Sequence, residues 1–351
     1  GACLRTYQID IGARPSGADL KALRQLKQLA ATAQVIHAHG LRAGALAVLA
    51  VKRLPAAKRP RVVVTLHNLP VGSAPTRLVG KALHLVVVKG ADYVLTVSPD
   101  LLEKAKQLGL KAGEIAVVPA PARGCADCGC MDRAAQSEIS QASAQSSHAG
   151  SGVGTGSGVG TGSGVGAGSS YGASSAASSK AAPCLLTIAR LAPQKGLDLL
   201  LEAATLIKQR GIDFTWLVAG DGPLKAQLNQ QIATAALPVK LLGRREDIGA
   251  LLSQADVVVQ TSYWEGQPLT LREAMQASRA IVATDVGGSA YTLAGCGQLV
   301  EPQAGPLADA VVAVISDPKR RETLEAASRA AVAKIPGETQ LREQLDRVLD
   351  L

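Results

Sequence analysis

Two glutamates, Glu265 and Glu273, stand eight positions apart in the segment "YWEGQPLTLREAM" (263–275) of a largely apolar chain. Along a helix this spacing would separate them by about 12 Å, too far for a shared proton or for a pair flanking one glycosidic bond. They can instead contact different parts of one ligand, since a carboxylate accepts paired hydrogen bonds from neighbouring hydroxyls such as those of sugars and riboses. The alternative is an acid near a helix start and an ordinary surface glutamate.

Two cations share another predicted loop. In "RLAPQKG", Arg190 and Lys195 lie between the strand "CLLTIA" and the helix "LDLLLEAATLIKQR". A helix N-terminus is already electropositive, so two cations there are unfavourable unless an anion lies between them. A diphosphate would meet this requirement. The alternative is that Lys195 faces solvent and Arg190 pairs with a nearby acid.

Short aliphatic runs alternate with amphipathic stretches along the chain. In the first part "QVIHAHG", "RVVVTLH", "DYVLTVS" and "EIAVVPAPA" are predicted strands, with "TYQIDIG" as a possible earlier one. The second part repeats the arrangement with "CLLTIARL", "DFTWLVAG", "VKLLG", "ADVVVQTS", "AIVATDVGG" and "QLVEP". This alternation favours an α/β fold with two doubly wound, Rossmann-like lobes facing a cleft. Pro268 fits the first turn of a helix "PLTLREAMQA".

Ligands of such sheets bind at the carboxyl ends of the strands, where histidines and glycines gather in this sequence. We take His37 and His39 to alternate across a strand, so that only one faces the cleft. His67 ends the next strand and is a candidate for lining the site. His84 lies within a helical run and is interpreted as structural.

Composition divides the chain into a first lobe (1–122), a Gly-, Ser- and Ala-rich linker (123–182) and a second lobe with C-terminal helices (183–351). The linker contains the repeat "GSGVGTGSGVGTGSGVGAGSS", which is typical of disorder. Cys125, Cys128 and Cys130 open this linker and could hold zinc, but we interpret them as incidental thiols and expect no metal site.

Charge is unevenly distributed, with 17 Lys and Arg against 6 Asp and Glu in residues 1–122, and 17 against 19 in residues 183–351. The basic part can attract phosphate-bearing partners or an anionic membrane surface, or it can simply aid solubility. Its aromatic residues are Tyr7 and Tyr93, too few for base stacking, so we expect no nucleic-acid partner. We expect a cytoplasmic protein, with peripheral attachment to the inner membrane face as the alternative.

Taken in order and spacing, the second-lobe segments resemble the donor lobe of the retaining glycosyltransferases of family four, which have the two-lobed GT-B fold. The segments are "RLAPQKG", "LVAGDGPL", "LLGRREDIGALLSQADVVVQTSYWEGQPLTLREAMQ", "AIVATDVGG" and "GQLVEP". "VIHAHGLRAGALA", "VVVTLHN", "ADYVLTVSPDL" and "IAVVPAPA" resemble the acceptor lobe. The resemblance implies transfer of a sugar from a nucleotide diphosphate sugar, without a cofactor or essential metal, to a sugar, lipid or small-molecule acceptor.

The resemblance also implies a set of functional residues: Glu265, Lys195, Arg190 and His39 as catalytic, and Arg190, Lys195, Gly266, Glu273 and Gly220 as binding. The two cations would hold the diphosphate and stabilise it as leaving group. Glu273 would contact the ribose hydroxyls, and Glu265 would lie beside the transferred sugar. His39 would face that sugar from the acceptor lobe.

The sequence departs from the family at three places. Tyr291 stands where a glutamate is common, and Ser278, Arg279 and Ala280 stand where Gly-x-Pro is usual. The family's N-terminal strand, glycine-rich loop and helix have no counterpart, so we expect an incomplete first lobe. Two other functions therefore stay open: a nucleotide-sugar epimerase on the same fold, or an inactive relative that binds nucleotide without transferring sugar.

Overall fold

The computed structural model describes residues 7–9, 11, 17–68, 74–119 and 182–350, which form two α/β lobes. The first lobe contains α1 (Ala18–Ala30), β1 (Val35–His39), α2 (Leu41–Lys52), β2 (Arg61–Leu66), α3 (Ala74–Gly90), β3 (Tyr93–Thr96), α4 (Pro99–Gln107) and β4 (Gly113–Ile115). The second contains β5 (Cys184–Ile188), α5 (Leu197–Gln209), β6 (Thr215–Ala219), α6 (Lys225–Thr234), β7 (Val239–Gly243), α7 (Ile248–Gln254), β8 (Val257–Gln260), α8 (Leu269–Gln276), β9 (Ala280–Thr284), α9 (Ser289–Leu293), β10 (Gln298–Val300), α10 (Ala304–Ser316), α11 (Pro318–Ala331) and α12 (Glu338–Leu349).

The first lobe is built on a parallel sheet of four strands in the order β1-β2-β3-β4. Its strands are aliphatic and β2 is buried almost throughout, as expected for a parallel sheet covered by helices. In the described residues no strand forms at Tyr7–Ile9 or Ile11, so "TYQIDIG" is not a strand at those positions; its other residues lie outside the described part. The expectation of an incomplete first lobe stays a prediction.

The second lobe has a parallel sheet of six strands in the order β10-β9-β8-β5-β6-β7. Read from β7, this is the doubly wound order of dinucleotide-binding folds. All six predicted strands are confirmed. The order in which strands are added to the sheet reverses between β5 and β8, and because these two strands are parallel, the loops after them lie side by side at the carboxyl edge. These are the loops that carry Arg190 with Lys195 and Glu265.

Aliphatic clusters cover both faces of the second sheet. One includes Trp216 and Phe214 with residues of α5 and α10, and the other includes Leu271 and Met275 of α8. The rigid placement of α8 against this core fixes the direction in which its polar side chains project. Pro268 is the N-cap of α8 in extended conformation, one position before the predicted first turn, because the helix begins at Leu269.

The C-terminal helix α12 returns to the first lobe. Val348 packs in one cluster with Val63 and Leu95, while Gln344 accepts a hydrogen bond from the Val117 N–H at 2.6 Å and donates to the Ile115 carbonyl at 2.9 Å. Sequence composition had grouped all C-terminal helices with the second lobe. The predicted domain boundaries stay a prediction, but α12 itself contacts the first sheet, since its apolar stripe completes that core.

Within the described ranges, none of the helices combines the length and apolar character needed to cross a bilayer. The predicted linker lies outside the described residues except for Ala182, as do Cys125, Cys128 and Cys130. In the part of the chain that the structure describes, no group of three His, Cys, Asp or Glu residues is arranged to hold a metal ion.

Candidate functional site

The loop after β5 is held tightly against the end of β8. A short 3-10 helix, Pro193–Lys195, is followed by Gly196 in the left-handed conformation (φ 59°), which leads into α5. A Cβ at Gly196 would lie 2.0 Å from the Thr261 carbonyl oxygen, so only glycine fits. The Thr261 hydroxyl donates to the Lys195 carbonyl at 2.9 Å. The position of Lys195 is therefore set by the backbone of both loops.

Lys195 forms an ion pair with Glu265, with 2.6 Å between Nζ and Oε1, and the Ser262 hydroxyl donates to the same oxygen at 2.5 Å. The Glu265 side chain is 8% exposed and that of Lys195 23% exposed. A pair this enclosed is shielded from the screening that weakens surface ion pairs. The alternative of a solvent-facing Lys195 is therefore wrong, while the assigned roles of Lys195 and Glu265 stay a prediction.

Arg190 and Glu273 lie near this pair without such partners. Arg190 follows β5, is exposed and has no ion pair with a described residue. Glu273, in α8, is half-buried, and its carboxylate accepts no hydrogen bond from the described residues. Burial raises the pKa of this carboxyl above the ordinary value. A cation and a carboxylate held at a strand edge without internal partners can be satisfied by a ligand.

The predicted glycines allow close contacts around these loops. Gly220, at φ 148°, would place a Cβ 1.9 Å from the Ala189 carbonyl oxygen, so it supports the backbone beside Arg190. Gly266 packs against the first lobe, where a Cβ would lie 2.6 Å from Cγ2 of Val97. The pair of glycines that precedes α9 packs on the loop of Glu265 and Gly266. A side chain at these positions would force the neighbouring groups apart.

Three histidines gather at the carboxyl ends of β1 and β2. His39 Nδ1 lies 3.1 Å from His67 Nε2, and the ring centroids of His37 and His39 are 4.3 Å apart. The prediction that only one of His37 and His39 faces the cleft is wrong, because residues two apart along a strand point to the same side. Desolvation, with repulsion from neighbouring histidines, lowers the pKa of His37 and His67. For His37 and His67, both shifts favour the neutral imidazole.

These histidines line a cleft of about 530 Å³ between the lobes. Its other walls are mainly apolar and come from β3, the segment after β4, and both Leu341 and Leu345 of α12. Gly266 and Gln267 close it on the side of the second lobe. His39 thus lies at one cleft with Gly266 and Gln267, the residues that follow Glu265. His84 lies in α3, where it is buried.

Sequence analysis missed the side chains that connect the lobes. Trp264 Nε1 donates to Asp100 at 2.9 Å, Gln267 donates to the Ala116 carbonyl at 2.7 Å, and Arg272 donates to the Val118 carbonyl. All three second-lobe residues lie within eight positions of Glu265, and this closeness to a predicted site residue was the one feature of the sequence that could have indicated them. The groups that accept their hydrogen bonds are two backbone carbonyls and an acid distant in the chain, and no sequence pattern predicts such acceptors.

Two α/β lobes, each built on a parallel sheet, around one cleft define the GT-B class of fold, as in solved glycosyltransferase-related structures. Residues 182–317 match the family described as glycosyl transferases group 1, and residues 1–121 match the glycosyl transferase 4-like domain. Together these two matches support a glycosyltransferase family for the chain.

Individual relatives are distant. The chain is 33% identical over 149 residues to the alpha-D-kanosaminyltransferase of Streptomyces kanamyceticus, covering 40% of this chain and 39% of that protein. It is 34% identical over 152 residues to the phosphatidyl-myo-inositol mannosyltransferase of Mycobacterium tuberculosis, covering 40% of each. These matches span about two fifths of the curated relatives' length. The crystal structure of Anabaena HepE with UDP has a TM-score of 0.66 at 21% identity, covering 96% of this chain and 84% of that one, which shows the shared fold.

Proposed function

We propose that this protein transfers a sugar from a nucleoside diphosphate sugar to an acceptor hydroxyl, with retention of the anomeric configuration. The observation that carries the proposal is the Lys195–Glu265 ion pair, which lies at the switch point of the second sheet beside Arg190 and the unpartnered Glu273. The crevice at such a switch point is where doubly wound folds bind nucleotides.

Each side chain has a defined part in the reaction. Arg190 and Lys195 bind the diphosphate and stabilise the negative charge that it gains when the bond from the anomeric carbon to phosphate oxygen breaks. Glu273 accepts hydrogen bonds from the ribose hydroxyls, and Glu265 orients the transferred sugar. The acceptor hydroxyl attacks the anomeric carbon on the face that the diphosphate leaves, and its proton passes to the departing phosphate oxygen.

The acceptor lies in the cleft of His37, His39 and His67, with His39 facing the transferred sugar. The cleft is roomy, and its apolar walls with a few neutral polar groups suit an uncharged acceptor such as a sugar, a lipid or another small molecule. The reaction proceeds without a cofactor or an essential metal, because the two cations supply the charge that a metal would otherwise provide. The protein works in the cytoplasm.

The direct test is thermal-shift binding of a panel of nucleoside diphosphates and their sugars, beginning with UDP, which HepE holds in its crystal structure. Selective stabilisation by one base is expected, because a ligand that binds only the native state raises the Tm. The shift should be much smaller in Lys195→Ala. If no nucleotide stabilises either protein, the donor site is not functional.

Released nucleotide, measured with and without acceptors, separates the two other functions that the sequence leaves open. A transferase releases nucleotide in proportion to the acceptor consumed. An epimerase converts the donor with no acceptor present, and an inactive relative binds nucleotide but releases none from the donor.

Attachment to an anionic membrane is a second candidate property, and it is favoured by the excess of cations in residues 1–122. Lysine and arginine near an anionic bilayer each contribute about 1 kcal/mol to binding, an attraction that salt weakens. Sedimentation with vesicles should therefore require anionic lipid and decrease with added salt. Binding that is equal with neutral vesicles contradicts this candidate.

A further inference from the structure

Arg272 is a buried cation without a carboxylate partner. It lies in α8 beside Glu273 and is 2% exposed. Its guanidinium donates to the Val118 carbonyl and, at 2.5 Å, to Gln267 Oε1, both of which are neutral acceptors. No Asp or Glu among the described residues forms an ion pair with it, and desolvation lowers the pKa of its guanidinium. A buried charge without a counter-charge is strongly unfavourable.

The same guanidinium borders a pocket of about 210 Å³ at the junction of the lobes. Lys334, an exposed residue, and Tyr291 lie at its edge, and the apolar part of its lining includes Met275 and Ile335. No Asp or Glu lines the pocket within the described part of the chain. The pocket is therefore electropositive, and its size suits a small ligand or the charged end of a larger one.

An independent observation indicates a missing polar partner here. Thr292 lines the pocket, is 5% exposed, and its hydroxyl has no hydrogen-bond partner. A buried hydroxyl is nearly always hydrogen-bonded, and this one neither donates nor accepts within the described structure. The oxygen itself is enclosed, so the Thr292 side chain must rotate about its Cα–Cβ bond for the hydroxyl to donate to an anion that the two cations attract.

We propose that the pocket formed by Arg272, Lys334 and Thr292 binds a phosphate-class anion, separately from the donor site. Arg272 supplies the buried charge, Lys334 the charge at the opening and Thr292 an additional donor. The four charged residues assigned to the donor site, Arg190, Lys195, Glu265 and Glu273, do not line this pocket. Because Arg272 also contacts Val118 of the first lobe, a bound anion would neutralise the charge at a point that joins the two lobes.

The test is calorimetric titration of the complete chain with inorganic phosphate at constant ionic strength. Arg190 and Lys195 offer another anion site, so every titration uses the Lys195→Ala background. Lys334→Gln and Thr292→Val should each weaken phosphate binding at least about fivefold, since each removes a donor to an anion. Lys319→Gln, which removes the same charge from an exposed position in α11, should leave the affinity unchanged.

Thr292→Val also separates binding from folding. Replacing an unpartnered buried hydroxyl by a methyl group should preserve or raise the Tm in phosphate-free buffer, while phosphate affinity falls. If Thr292 has only a structural role, Thr292→Val will leave the phosphate affinity unchanged. Absence of saturable phosphate binding in the Lys195→Ala background, or binding that is unaffected by Lys334→Gln and Thr292→Val, would overturn the proposal.

A comparison of ligands identifies the source of the anion. A hexose phosphate that binds more tightly than inorganic phosphate, and depends on Lys334, indicates an anion carried by a sugar. Equal affinities with the same dependence indicate free phosphate. Failure of this proposal can be distinguished from failure of the proposed sugar transfer. Phosphate binding is measured in the Lys195→Ala background, whereas nucleotide binding is measured on the unsubstituted chain.

Discussion

The two lobes carry different chemistry at the carboxyl ends of their strands. The second lobe offers charged groups fixed on a six-stranded sheet, with the Lys195–Glu265 pair enclosed between two loops. The first lobe offers three histidines and aliphatic walls on a four-stranded sheet. This difference is what the proposed function requires, since it pairs a donor that carries a charged diphosphate with an uncharged acceptor.

Lys195→Ala provides the strongest test of the charged side. Loss of a preorganised cation that stabilises the leaving group should reduce turnover by about a hundredfold or more. The matched control is Lys225→Ala, since Lys225 also pairs with a carboxylate, Asp221, but on the exposed surface. Steady-state kinetics should show little change in the control. Comparable rates in both variants would remove the role assigned to Lys195.

Glu273→Gln is expected to weaken nucleotide binding about tenfold, because a charge-assisted hydrogen bond is replaced by a neutral one. Burial raises the folded-state pKa of this carboxyl, so its stabilising contribution is present below the unfolded pKa and is lost as pH rises through the folded pKa. The amide should therefore raise the Tm of the ligand-free protein at neutral pH, by about 1–2 °C since the group is only half-buried. Glu322→Gln, at an exposed position in α11, is the control for both measurements.

Trp264→Phe tests whether contact with the first lobe positions the charged loop. Asp100 Oδ1 is already buried without a partner, so losing the Trp264 N–H leaves the whole carboxylate unpaired, at about 1–3 kcal/mol. Turnover should fall about threefold as the loops loosen. Trp216→Phe loses a comparable bond, to Thr187, within one lobe. The Trp216→Phe control should lower the free energy of unfolding, as measured by chemical denaturation, but should leave turnover unchanged.

His84 makes the first lobe sensitive to acid. Both ring nitrogens are buried without a partner, and desolvation, with a smaller effect from Lys104, lowers the pKa of this histidine. The unfolded chain then binds the proton more readily, so stability should fall as pH drops through about 6.5. His84→Leu should reduce the difference in Tm between about pH 7 and pH 5 by about 2 °C. An unchanged difference would mean that other groups cause the acid sensitivity.

Much of the fold follows from local sequence. Runs such as "RVVVTL" and "DVVVQ" are too short for helices and too apolar for exposed strands, so buried parallel strands were predictable and are confirmed. The loop positions of Arg190, Lys195 and Glu265 followed directly. The sequence could also have predicted that His37 and His39 point to the same side, because side chains two positions apart along a strand share a face. The prediction misapplied this rule.

Contacts between distant segments could not be predicted in this way. Lys195 and Glu265 are 70 positions apart, and only the sheet order that makes β5 and β8 neighbours brings them within 2.6 Å. Arg272 belongs to an amphipathic helix in which an arginine normally faces solvent, but the first lobe covers it. The helix α12 carries no signal that assigns it to the first sheet.

The sequence by itself determined the strands, the helices and the loops that carry the charged residues, because hydrophobic period and turn chemistry act over a few neighbouring positions. The tertiary structure decided which charges pair, which stay without a partner and which cavities they border. Those properties depend on burial and on the distance between residues far apart in the chain, and both arise only when each sheet has assembled and the lobes pack against each other.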